Sequence, residues 1–63
     1  MLKINDNFRK LIEKNGGVDA VAGICGLKRE TIRVYYERIT DPRKVSVMLI
    51  AKIFGVDWKT LVM

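Results

Sequence analysis

Residues 21–35 read Val-Ala-Gly-Ile-Cys-Gly-Leu-Lys-Arg-Glu-Thr-Ile-Arg-Val-Tyr. The pattern predicts two short helices joined by a tight turn at Gly26. The turn demands a residue with positive φ, which glycine adopts without steric cost. Two helices that cross closely at a steep angle demand a small residue where they touch, and Ala22 supplies it. Leu27, just after the turn, plugs the gap beneath. Val21 and Cys25 fall on the inner face of the first helix, and Ile32 and Tyr35 on the inner face of the second. Val21, Ala22, Cys25, Gly26, Leu27, Ile32 and Tyr35 are coherent as a group, where any one of them would say little.

Helical spacing continues on both sides of this stretch. A first helix is expected from Asp6 to Asn15, capped by Asn5 or Asp6, with Phe8, Leu11 and Ile12 facing the core. Gly16-Gly17 ends it. The second helix covers Val18 to Ile24 and the third Lys28 to Arg38. The loop Ile39-Thr40-Asp41-Pro42-Arg43 follows, where Pro42 forbids continuation. A fourth helix is expected over Val45 to Phe54, ended by Gly55. A fifth, short helix runs from its cap Asp57 through Trp58, Leu61 and Val62. The expectation is an all-α fold, a compact five-helix bundle forming one domain over residues 1–63. The fourth helix is more apolar than one core requires, so part of Val45 to Phe54 should lie on the surface.

Composition narrows the function classes. A chain of 63 residues makes one small domain, and such a domain buries only about 60% of the surface its unfolded chain exposes. Its net charge is +5 and its pI about 9.7, a balance that suits a polyanionic partner. There is one cysteine, Cys25, and no histidine. No internal disulfide is available, so a reducing, cytoplasmic setting is expected. No thiolate or imidazole metal site can be assembled either. No nucleophile is paired with a base and no glycine-rich loop is placed to hold phosphate, so neither an enzyme nor a cofactor is expected. The longest apolar run, Val47 to Ala51, is too short to span a bilayer. The N-terminus lacks the basic-then-apolar pattern of a signal peptide.

Lys28 and Arg29 open the third helix and Arg33 follows one turn later. That is the layout of a helix-turn-helix whose second helix enters the major groove of DNA. Lys28, Arg29 and Arg33 are the candidate base contacts, since bidentate arginine to guanine is the commonest specific pairing. Glu30, Val34 and Glu37 share this face, and Glu30 precedes Arg33 by three, a spacing that suits an ion pair. Arg38, Arg43 and Lys44 bracket the following loop and are the candidate phosphate contacts, which fix register without reading sequence. Tyr36 is a candidate for a phosphate hydrogen bond or a partner contact. Lys10 and Lys14 read as solvated, and Cys25 as a small core residue. Leu49, Trp58, Val62 and Met63 are the candidate protein interface, a dimer patch of exposed apolar groups.

At this point the chain resembles the lambda-repressor-like family of helix-turn-helix domains, which includes small phage Cro-type and repressor proteins. The resemblance covers nearly the whole chain. It includes Phe8 to Gly16, then Ala22, Gly26-Leu27 and Ile32, then Asp41-Pro42. It continues through Leu49-Ile50-Ala51-Lys52-Ile53-Phe54-Gly55-Val56 to the closing Asp57-Trp58-Lys59-Thr60-Leu61. The implied activity is sequence-specific binding of a double-stranded DNA operator by a transcriptional regulator of phage or prophage, usually a homodimer on a palindrome. Two departures stand out. Family members often begin the second helix with Ser or Thr, then Gln, which bind phosphate. Here those places hold Gly17 and Val18. Tyr36 also stands where Glu often does. The missing phosphate pair and the surplus apolar surface leave an alternative, an antirepressor-type modulator that keeps the fold but binds another repressor protein. Thr31 to Ile39 is also similar to the recognition helix of winged MerR-type regulators. Those regulators need a basic, aromatic wing after it, whereas this chain goes to Asp41-Pro42 and a new helix.

Overall fold

The structure, a computed structural model, describes residues 2–63. Its first helix, α1 (Asp6–Lys14), begins at Asn5, whose backbone is extended. The Asn5 Oδ1 accepts from the N–H groups of Asn7 at 2.9 Å and Phe8 at 3.3 Å, satisfying two amides that have no partner inside the helix. The other end of the same side chain faces the C-terminus. Its Nδ2 donates to the carbonyls of Thr60 at 2.9 Å and Val62 at 3.3 Å. The Asn5 N–H donates to the Leu61 carbonyl at 3.0 Å, and the Met63 N–H to Lys3 at 2.9 Å. Ile4 and Val62 thereby form an isolated antiparallel bridge. One asparagine caps a helix and clasps the two ends of the chain.

After α1 the chain turns at Gly16 and enters α2 (Val18–Cys25). Gly16 has φ of 102° and a Cβ there would lie 2.9 Å from the Ala20 Cβ, so this turn needs glycine for space as well as angle. Gly26 ends α2 at φ 68°. The Leu27 N–H then returns to the Ala22 carbonyl at 3.0 Å, closing the helix end. α3 (Arg29–Tyr36) follows. It is shorter than the expected Lys28 to Arg38. Lys28 is its extended cap, and Arg38 is left-handed at φ 60°. There the Ile39 N–H folds back to the Val34 carbonyl at 2.9 Å.

α4 (Lys44–Phe54) is closed by Gly55. A fifth α-helix was expected after Asp57. Trp58–Leu61 instead forms a four-residue 3-10 helix, because Val62 must leave it in extended form to meet Ile4. Asp57 caps this turn as expected, accepting from the Lys59 N–H at 3.1 Å. The described residues thus fold as four α-helices and one 3-10 turn, within 25 × 25 × 19 Å.

The core is Ile4, Phe8, Ile12, Val21, Ala22, Ile32, Tyr35, Val47, Ile50, Ala51 and Leu61. Leu11, Cys25 and Leu27 are half-buried at its edge. α2 packs most extensively on α3, and α4 on the 3-10 turn. No helix among the described residues is long and apolar enough to cross a membrane.

The Asn5 side chain can be dissected by two substitutions. Asn5→Ala loses cap and clasp together, and should lower the unfolding free energy by about 1–2 kcal/mol. Asn5→Asp keeps the accepting oxygen and loses the Nδ2 donor, so it should cost about half as much. Urea denaturation monitored by circular dichroism measures both, and equal losses would assign the whole effect to the clasp.

Candidate nucleic-acid interface

The exposed face of α3 carries the expected cations, and each stands in a different setting. Lys28 is exposed at the cap and takes part in no ion pair among the described residues. Arg29 is exposed, with its Nε 3.4 Å from the Asp19 carboxylate of α2. Arg33 is clamped along its own helix. Its Nε donates to Glu30 at 3.0 Å and its Nη1 to Glu37 at 3.0 Å, while its Nη2 donates to the other Glu30 oxygen. The clamp holds the Glu30 carboxyl below its ordinary value and raises the Arg33 guanidinium further, each through their hydrogen bond first. Two of these three cations, Arg29 and Arg33, are therefore paired with Asp19, Glu30 and Glu37, and the three carboxylates equal the three cations in charge. The net +5 of the chain lies elsewhere.

The expected phosphate contacts divide similarly. Arg43 is the extended cap of α4 and Lys44 its first residue, with no side-chain cap and no acidic residue in the first turn. Both side chains are exposed. Uncapped amides and two cations together make a strongly positive helix end. The Lys44 ammonium also lies over the Trp58 ring, 5.1 Å from its centroid. Arg38 is exposed and bonded through Nη2 to Asp6 at 2.9 Å.

Tyr36 is committed elsewhere. Its hydroxyl donates to the Glu13 carboxylate of α1, which pushes its pKa up. The Arg9 guanidinium stacks over its ring, 4.6 Å from the centroid. Tyr36 is thus a tie between α3 and α1, with its hydroxyl donor already engaged by a carboxylate. The sequence reading missed Arg9. Arg9 and Glu13 stand one turn apart on α1, and the docking of α3 on α1 brings Tyr36 to both.

The four expected interface residues stand in three settings. Leu49 and Trp58 line an apolar groove of about 430 Å³ with Val45 and Met48. Val62 is half-buried against the core, and its carbonyl is taken by Asn5. Met63 lies in a different cavity, about 230 Å³, beside Lys3, Arg38 and Pro42. At the start of α2, Gly17 caps the helix without a side-chain bond, as its lack of a side chain requires. Cys25 is half-buried, and burial pushes its thiol pKa up, so it is protonated at neutral pH. No family model matches this chain, and neither does any curated protein or solved structure.

The clamp has a titration signature. Because the Glu30 pKa is lowered in the fold, its contribution is present above the ordinary value of 4.5 and is lost as pH falls through the lowered one. In Arg33→Ala, Glu30 should titrate back near its ordinary value, which carboxyl-detected NMR reads directly. An unchanged Glu30 midpoint would mean that the clamp does not hold it.

Proposed function

We propose that the chain is a sequence-specific DNA-binding transcriptional regulator of the Cro and repressor type, presenting α3 to the major groove. The observation that carries the reading is the α2–α3 pair itself. A left-handed Gly26 joins the two helices, Ala22 is buried against the core, and Lys28, Arg29 and Arg33 stand on the accessible face of α3. In this reading Arg43, Lys44 and Arg38 contact phosphates and set the register. Arg29 and Arg33 read base edges, with bidentate contact to guanine as the natural pairing. A homodimer would place two such helices on half-sites about one helical turn apart.

The carboxylates around α3 then sharpen discrimination. Asp19, Glu30 and Glu37 cancel the local positive charge, which lowers attraction to DNA of arbitrary sequence. Arg33 leaves its clamp only where a matched base replaces the bonds it gives up. Exposed ion pairs are weak enough for a bidentate base contact to exceed them.

A second reading has its own support. The balanced charge of α3 and the bare Gly17 cap weaken the electrostatic case for DNA. They favour an antirepressor-type modulator that grips another repressor protein.

Gel shifts against the DNA flanking the gene, over a series of salt concentrations, separate the two. Under the first reading Arg29→Ala and Arg33→Ala each lower specific affinity by about tenfold or more and weaken non-specific binding by less. Glu30→Gln combined with Glu37→Gln should do the reverse, raising non-specific affinity and narrowing selectivity. Unchanged operator selectivity in both arginine variants would overturn the base-reading assignment. A tight complex with a repressor, and no DNA shift at low salt, would establish the second reading.

A further inference from the structure

α4 presents a second surface, apart from the α3 face. Val45, Met48, Leu49 and Lys52 recur at i, i+3, i+4 and i+7 and form one stripe along the helix, about 10 Å long. Val56 and Trp58 wall its far side and the buried Ala51 lies at its floor, enclosing the groove of about 430 Å³. Val45 is 70% exposed, and Met48 and Leu49 stay exposed although the core lies directly behind them. The groove is bordered by cations. Lys52 lines it, and Lys44 reaches over the Trp58 ring. The one carboxylate on its lining, Asp57, accepts from the Lys59 N–H as the cap of the 3-10 turn.

We propose that this groove docks the apolar face of an amphipathic helix whose flanks carry Glu or Asp, belonging to a partner protein. The dimensions fit two turns of such a helix, the mode in which i, i+3, i+4 and i+7 side chains enter a groove. The border charges call for an acidic occupant. They also disfavour a second copy of this chain. A two-fold contact sets identical patches face to face, so the lysine-bordered groove of one copy would meet the lysine-bordered groove of the other, and like charges at an interface are costly. The groove is also small, lined by eight residues, whereas a stable interface between two domains engages about 20–30 residues a side. This docking stands whether or not α3 binds DNA, and it is read without DNA.

Trp58 is the single tryptophan of the chain, so its emission reports occupancy. The test uses the full chain and two synthetic helical peptides of about 15 residues, sharing one leucine stripe and differing only in Glu or Lys flanks. The Glu-flanked peptide is expected to shift Trp58 emission to shorter wavelength and to bind about tenfold more tightly than the Lys-flanked one. Charge reversal at Lys44→Glu with Lys52→Glu should invert that preference. Val45→Asp, at an exposed position, should abolish binding while leaving the helical circular dichroism unchanged. Equal affinity for the two peptides, no binding of either, or binding untouched by Val45→Asp would overturn the proposal. So would a Trp58 shift that follows protein concentration alone and accompanies a dimer in sedimentation, because the occupant would then be a second copy.

Discussion

The contact of α2 with α3 is the constraint on which the rest depends. Ala22 is 3% exposed, and a larger side chain there would push the two helices apart, since packed interiors leave no room for extra volume. Gly26 fixes the change of direction. A Cβ on Gly26 would meet nothing within 4 Å, so what the position demands is its left-handed φ of 68°. Gly16 differs, because there the angle and the nearby Ala20 methyl both exclude a side chain. With α2 and α3 set, Ile32 and Tyr35 point into the core from one side. Phe8 and Ile12 of α1 and Val47 and Ile50 of α4 complete it. The Asn5 clasp then closes the ends.

Charge is distributed in two ways over this scaffold. On α3 Arg29 and Arg33 are paired with carboxylates of α2 and of their own helix. At the start of α4, Arg43 and Lys44 add to uncapped amides with no acidic neighbour in the first turn. Under the proposed function, long-range attraction to a polyanion would belong to the α4 end, and close discrimination to α3, where Arg29 and Arg33 would each exchange one partner for another.

Much of this was legible in the sequence, for local reasons. Phe8, Ile12, Val21, Ala22, Ile32 and Tyr35 follow helical spacing, and Gly26, Gly55 and Asp57 mark the ends of elements with residue types suited to those backbone angles. The Glu30–Arg33 pair was visible from its spacing. What escaped depends on contacts between distant residues. Ile4 and Val62 carry no periodicity that would announce a bridge, and that bridge turns the last helical segment into a 3-10 turn. The clasp role of Asn5 is hidden because its capping oxygen and its cross-chain nitrogen belong to one side chain. Tyr36 looked free on its own helix, and only the approach of α1 commits its hydroxyl to Glu13.

The central claim is that α3 is the surface that reads DNA. The most direct measurement is an NMR titration of the isotope-labelled chain with duplexes from the flanking intergenic region. The account predicts amide shifts concentrated at Lys28 to Arg33 and at Arg43-Lys44, with side-chain signals of Arg29 and Arg33 changing only for the matched duplex. Shifts confined to Val45 through Trp58, or none at low salt, would contradict it.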